Sequence, residues 1–232
     1  VEEQVLTGVN NIGTLHESTL HSNLKLWYKK QGDQLEVPIE NFVIDVLRND
    51  LLIEIQIKNF SMIRKKLETL LKNHRVLLIH PIVKDKWIVA IDHQSKKVIH
   101  KRLSPIHHSY IYIFEELIRI PHLIANPNLT IESLMVQIEE FRVNDGKGSW
   151  RRNGWSIQDR RLVNVLERKI LHSPIDFLML KPSSIKPPFT NAELAKLLKK
   201  PIRLARKMSY CLRKMGIIQV VGNKGRALLF DY

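Results

Sequence analysis

Asn41-Phe-Val-Ile-Asp-Val-Leu-Arg-Asn-Asp-Leu-Leu-Ile-Glu-Ile-Gln-Ile-Lys58 reads as two β-strands joined by a tight turn. Val, Ile, Leu and Phe fill both runs, and Asn49-Asp50 suits a two-residue hairpin turn. If Arg48 pairs with Leu51, the register sets Asp45 directly opposite Glu54 and Val43 opposite Gln56. Side chains alternate along a strand, so Glu54, Gln56 and Lys58 share one face and Asp45 joins them. The other face, Phe42, Ile44, Val46, Ile53, Ile55 and Ile57, is wholly apolar. Facing carboxylates repel across a sheet, and between Val43, Leu47 and Leu52 they also lose hydration. A hard divalent cation such as Mg²⁺ or Mn²⁺ would relieve both penalties and keep waters for chemistry. The other reading is a solvated face with ordinary surface carboxylates.

The chain of 232 residues is long enough for one large or two small domains, and 44% hydrophobic content supports a core. The single cysteine, Cys211, excludes an internal disulfide and any multi-cysteine metal knuckle, and fits a reducing, cytoplasmic compartment. No run of about 20 apolar residues predicts a membrane span. The first residues, Val-Glu-Glu-Gln-Val, lack the parts of a signal peptide and a starting Met, so residues upstream are expected. The net charge of +14 is unevenly spread: residues 1–144 carry 18 Lys/Arg against 17 Asp/Glu, and residues 145–232 carry 19 against 6. A basic field confined to one end implies a polyanionic partner, nucleic acid before an acidic membrane, with general solubility charge as the alternative. No basic amphipathic helix with an aromatic insertion face supports a membrane.

Along the chain, residues 14–30 predict an amphipathic helix with Leu20, Leu24 and Trp27 on its buried stripe. Glu17 extends that stripe, either as a site acid or as the partner of Thr14 in a capping box. His16 and His21 are too poorly aligned for a histidine metal pair. Leu35–Ile39 predicts a first short strand, placed at an edge or bend by Pro38. After the hairpin, residues 59–73 predict a helix with Ile63, Leu67, Leu70 and Leu71 inward and Lys65, Lys66 and Lys72 elsewhere. Residues 75–83 predict a strand buried on both faces, with His80 a satisfied core histidine. Lys86–Asp92 and Lys97–Arg102 predict a further hairpin. Residues 104–119 predict a helix. Residues 131–143 read as a strand by Val136 and Ile138 or as a helix by Leu134, Ile138 and Phe141, and the strand is the reading taken.

Residues 145–161 form an unusual loop, with three glycines, four arginines, one lysine and two tryptophans. Lys147, Arg151, Arg152, Arg160 and Arg161 can grip phosphate, and Trp150 and Trp155 can stack on bases. In the structural alternative the tryptophans anchor into a core and the arginines are solvated. Leu162–Leu171 predicts a helix. Thr190-Asn-Ala-Glu193 is a capping box that opens a short helix, Pro201 starts a second helix ending at Gly216, and a hairpin closes the chain. Helix, short helix, basic helix, hairpin is the order of a winged helix-turn-helix. Arg203, Arg206, Lys207, Arg213 and Lys214 lie on the recognition helix of such a module, and Lys224 and Arg226 on its wing. The fold class expected is α/β, a mixed sheet flanked by helices, followed by the winged helix. The expected domains are 1–103, a connecting region 104–145, and a basic 146–232.

On Glu17, Asp45 and Glu54-Ile-Gln56, residues 14–92 resemble the PD-(D/E)XK nucleases, the restriction-endonuclease-like superfamily. Its signature is an acid on a first helix, an Asp on the second core strand and Glu-x-Lys on the third. The sequence departs from it in having Gln56 at the lysine position and no proline before Asp45. Lys58, about 7 Å further along the strand, is the substitute charge within the motif. The joined winged helix is similar to that of transposase-associated endonucleases. The whole chain, with its Trp-Arg-Arg loop, also resembles an uncharacterised bacterial protein family.

The resemblance implies a metal-dependent DNA endonuclease. Asp45, Glu54 and Glu17 would hold Mg²⁺ or Mn²⁺, Gln56 and Lys58 would position the attacking water, and the basic half would hold duplex DNA. A nucleoid-associated location would follow from DNA binding, and double-strand breaks would need a homodimer or protein partner. A non-catalytic DNA-binding or regulatory protein is the alternative, and an RNA-binding factor a third reading. No nucleophile elbow or phosphate-binding glycine loop supports another hydrolase or a kinase.

Overall fold

The predicted hairpin forms from β2 (Phe42–Arg48) and β3 (Leu51–Ile55) in the computed structural model, which describes residues 18–232. Val46↔Ile53, Leu47↔Leu52 and Arg48↔Leu51 set the expected register. Asn49 takes the left-handed φ of 54° that such a turn requires. The ladder stops one residue short of Asp45 and Glu54. There the Ile55 N–H donates instead to the Asp45 carboxylate at 2.7 Å. The alternation of β2 breaks at this point: Phe42 and Ile44 pack on one core, Val46 on another. This corrects the expectation of one continuous apolar face. β3 ends at Ile55, so Gln56 and Lys58 lie beyond the strand. His80 Nδ1 donates to the Gln56 carbonyl at 2.8 Å, and Asn59 adopts φ 63°, which turns the chain away.

β1 (Gln34–Ile39) lies at the sheet edge, as Pro38 implies, antiparallel to β2. β3 runs parallel to β4 (Arg75–Ile91), and β4 runs parallel to β6 (Leu129–Asn144). The expected two segments at 75–83 and 86–92 are one 17-residue strand, bent by a bulge between Val83 and Asp85. β5 (Val98–Leu103) pairs with the far half of β4, on the same edge as β3. β7 (Trp155–Leu171) closes the sheet antiparallel to β6. The helix expected at 162–171 is therefore a strand. The segments that the sequence divides at 104 and 146 share this one mixed sheet, through β4, β5, β6 and β7.

Helices cover both faces. α1 (Thr19–Tyr28) is capped by Ser18, whose side chain accepts from the His21 N–H. The box expected at Thr14 and Glu17 lies outside the described residues. Leu20, Leu24 and Tyr28 form the buried stripe, over Val46, Ile53, Ile55, Leu77, Ile79 and Leu134. Trp27, expected inward, is 44% exposed, because the stripe runs by steps of four. On the other face α2 (Arg64–Leu70) contributes Leu67 and Leu70 to a larger core. In place of the long helix expected at 104–119 there is a 3₁₀ turn (Tyr110–Ile113) and the single-turn α3 (Phe114–Leu117).

The same larger core takes in the C-terminal segment. α4 (Pro174–Leu178), α5 (Asn191–Leu198), α6 (Ile202–Lys214) and the hairpin of β8 (Gln219–Lys224) and β9 (Ala227–Asp231) place Phe177, Leu194, Leu204, Met208 and Phe230 in it. The Thr190–Glu193 capping box forms as predicted. The closing hairpin turns at Gly225, which has φ 62°. Among the described residues no helix is long and apolar enough to cross a membrane.

Candidate active-site cleft and nucleic-acid interface

An open cleft of about 1040 Å³ lies where the carboxyl end of β3 leaves the sheet. Asp45, Glu54, Gln56 and Lys58 line it, with Ser18 and His21 of the α1 end, Met62 and Lys66 of the α2 end, and Ile157–Arg160 of β7. A ligand crevice beyond the carboxyl ends of parallel strands is a general property of α/β sheets. Of the five residues expected to carry chemistry, four line the cleft. The fifth, Glu17, lies outside the described residues.

Asp45 is held on two sides. It accepts from the Ile55 N–H, and His21 Nε2 approaches its Oδ2 at 3.3 Å. The same His21 nitrogen donates to the Ile55 carbonyl at 2.9 Å, closing a ring of contacts around one carboxylate. Burial pushes the Asp45 carboxyl up, but the His21 bond and charge, the Ile55 N–H and Lys66 outweigh it. The group sits below the usual carboxylate range.

Glu54 behaves oppositely. It is 7% exposed, and burial together with the Asp45 charge lifts its carboxyl to about 7, against the pull of Lys66. Lys66 Nζ bonds Glu54 Oε2 at 2.5 Å and the Val43 carbonyl at 2.6 Å. Two neighbouring carboxylates driven apart in proton affinity are a common mark of functional sites.

The donor set suits a hard divalent cation, because it consists of carboxylate oxygens from adjacent strands. Bound between them, a cation would remove the repulsion and burial penalty that raise Glu54. Among the described residues no group of three His, Cys, Asp or Glu side chains is placed to hold a metal ion.

Gln56 lines the cleft with its Nε2 donating to the Lys58 carbonyl at 2.6 Å. Lys58 is exposed at the rim. The cation beside Glu54 is Lys66, brought from α2. His80 is a satisfied core histidine, edge-on to Phe60 at 5.0 Å, and burial lowers its proton affinity.

The basic residues divide into four groups. In the loop before β7, Trp150 is 80% exposed with the Arg151 guanidinium 5.3 Å over its ring, so it anchors in no core. Lys147 is exposed beside it. Trp155 is half-buried with His100 at its edge, and its carbonyl accepts from Arg152 Nε. Gly148 is obligatory there, since a Cβ would sit 2.0 Å from the Trp155 oxygen.

On β7, Arg160 bonds Glu140 at 2.9 Å and lines the cleft. Arg161 bonds Asp159 and covers the Phe141 ring. On α6, Arg203, Arg206, Tyr210 and Arg213 form one exposed ridge. Lys207 is turned inward to Glu115 of α3, and Arg203 reaches the same carboxylate at 3.5 Å. The adjacent Glu116 accepts from the Phe60 N–H at 3.0 Å, next to cleft residue Asn59. Lys224 pairs with Glu193 at 3.0 Å, and Arg226 is exposed at the hairpin turn.

Sequence comparison shows 28% identity over 155 residues to an uncharacterised protein of Treponema pallidum (strain Nichols). The match covers 66% of this chain and 61% of that protein, so the chain spans less than two thirds of its relative. No solved structure matches the chain. The family described as Domain of unknown function (DUF8091) matches residues 18–172, from the cap of α1 to the end of β7. That span carries the whole sheet and the cleft, and the chain belongs to the DUF8091 family.

Proposed function

We propose that the protein is a metal-dependent DNA endonuclease whose reaction takes place in the cleft. The observation that carries this reading is the pairing of Asp45 with the buried Glu54 at the carboxyl end of β3, with Lys66 at 2.5 Å from Glu54. The resemblance to the PD-(D/E)XK nucleases gives the pair its role. Asp45 and Glu54 would hold Mg²⁺ or Mn²⁺. When bound, such an ion lowers the proton affinity of water and offsets charge on a phosphoryl oxygen.

The chain's own groups supply the rest. Lys66 provides the positive charge that Gln56 cannot, beside the carboxylate where negative charge builds on phosphorus. His21 and the Ile55 N–H fix the Asp45 carboxylate, so that its geometry does not relax during the reaction. The balanced reaction adds water at phosphorus and breaks the P–O3′ bond. It leaves a 5′-phosphate and a 3′-hydroxyl, by analogy with the family.

The basic C-terminal segment has the element order of a winged helix-turn-helix. Its exposed ridge of Arg203, Arg206 and Arg213 supports duplex DNA as the partner. The Lys66–Glu54 ion pair also favours a second reading, a DNA-binding protein without catalysis, because it satisfies the carboxylate without a metal.

Incubation of supercoiled plasmid with Mg²⁺, Mn²⁺ or EDTA separates the two. Nicking with either metal and none in EDTA supports the nuclease. Salt-dependent binding without nicking supports the second reading.

A further inference from the structure

Glu140 is 1% exposed and is surrounded by three cations. Arg142 bonds its Oε1 through two nitrogens at 2.5 and 2.9 Å, Arg160 bonds its Oε2 at 2.9 Å, and Lys86 lies 3.3 Å away. One cation would neutralise the carboxylate. Three leave two positive charges in excess on one small patch.

The nearby acids do not redress this. Glu139, the next residue and so on the opposite face of β6, pairs with Lys101 at 2.6 Å. Asp159 is taken by Arg161 Nε and by the backbone N–H of Arg160. Asp85 is bonded by His107 and Gln137. The sheet register extends the patch, because Arg102, Ile88, Glu140 and Arg160 form one cross-strand row over β5, β4, β6 and β7. Arg160 borders the cleft, while Arg142 and Lys86 keep 17% and 24% of their side chains exposed.

Like charges gathered on a rigid sheet cost energy unless an anion joins them. The buried carboxylate gives the patch its order. Two arginines locked in rotamer present planar donors suited to phosphate oxygens. We propose that Lys86, Arg142 and Arg160, buttressed by Glu140, form a phosphate subsite that grips the nucleic-acid backbone next to the Asp45–Glu54 carboxylates. The placement beside the carboxylates rests on the nuclease reading, whereas the anion binding itself does not.

The test is the affinity of a short fluorescent DNA duplex in EDTA, where no cleavage competes, across a series of salt concentrations. Wild type is compared with Lys86→Gln, Arg160→Gln and the opposite-face control Lys101→Gln. Lys86→Gln leaves both arginines on Glu140, and thermal melting checks that each variant is folded.

Removing one phosphate-binding cation lowers the slope of log K against log salt by about 0.9, which is about a 5-fold weaker affinity at about 0.15 M salt. That is expected for Lys86→Gln and Arg160→Gln but not for Lys101→Gln. Unchanged slopes in both patch variants, equal weakening in all three, or no duplex binding by the wild type would overturn the subsite. Wild-type protein that binds through the patch but cuts nothing with metal would leave the subsite standing and remove the nuclease. Wild-type protein that cuts, with patch variants that bind as it does, would do the reverse.

Discussion

Glu54 is buried between a carboxylate and an ammonium, which pull its proton affinity in opposite directions. Burial and Asp45 win, and its carboxyl rises to about 7. A carboxyl raised on folding binds protons more tightly in the folded state. Its stabilising contribution is complete below the ordinary carboxylate range and is lost as pH rises through about 7. In metal-free buffer the wild type is expected to melt at falling temperatures between about pH 5 and pH 8, relative to Glu54→Gln. Mg²⁺ at the upper pH restores the stability. Identical pH profiles for the two proteins would contradict this assignment.

Lys66 gives a second prediction at this scale. Lys66→Gln removes the charge beside Glu54, and a drop of about 10²- to 10³-fold in cleavage rate is expected at saturating DNA. Affinity measured in EDTA changes little, and Lys66→Arg recovers part of the rate. Equal cleavage by Lys66→Gln and wild type would show that the ion pair is structural.

Among the elements, the β2–β3 hairpin is legible in the sequence because its determinants are local: alternation, an Asn-Asp turn, and a register that follows from both. The Thr190–Glu193 capping box and the basic helix Ile202–Lys214 are legible for the same reason. β7 is not. Leu162 and Val165 both pack on the α1 core, and their spacing of three reads as helical. The register shows why: Ile138 faces Leu162, Gln137 faces Asn164 and Val136 faces Val165, so Val163 is an extra residue in a bulge. Leu166 is another, between Val165 and Glu167.

Two bulges turn a period of two into an apparent period near helical, and only a long partner strand reveals it. Lys66 escapes the sequence because it borders the apolar stripe of α2, and no local pattern says which strand that border meets. His21 reads there as half of an ill-matched metal pair, whereas Asp45 and a backbone carbonyl are among its partners. α1 carries His21 into the cleft only while its stripe is seated. Leu24→Ala, at a position with 0% exposure, should cost about 2–5 kcal/mol. It should lower Tm by several degrees, and cleavage should fall as the α1 wall loosens. A melting point within a degree of wild type would refute this packing.

For the whole molecule, the excess positive charge lies in the last 88 residues, yet that stretch is not a separate charged tail. β7 carries part of it into the main sheet, and α6 packs on α3 through Lys207 and Glu115. α3 in turn anchors the loop at Phe60 that borders the cleft. The ridge of α6 leaves Arg206 and Arg213 exposed, with Arg203 at the edge of Glu115. Arg203→Glu, Arg206→Glu and Arg213→Glu together should reduce duplex affinity more than 100-fold. The salt slope should fall by about 0.9 for each phosphate that is no longer neutralised. The melting temperature should stay near wild type, since none of the three side chains is buried. Retained affinity in this variant would place the DNA elsewhere on the protein.

Metal-dependent phosphodiester hydrolysis by Asp45 and Glu54 is what every other proposal about the cleft depends on. The most direct measurement is single-turnover cleavage of an end-labelled duplex with Mg²⁺ or Mn²⁺, at enzyme in excess. Wild type is compared with Asp45→Ala and Glu54→Ala preparations of matched melting temperature. The wild type should cut to 5′-phosphate ends, and neither variant should cut while both still bind the duplex. Cutting by the variants at the wild-type rate, or no cutting by a wild type that binds the duplex with metal present, would contradict this.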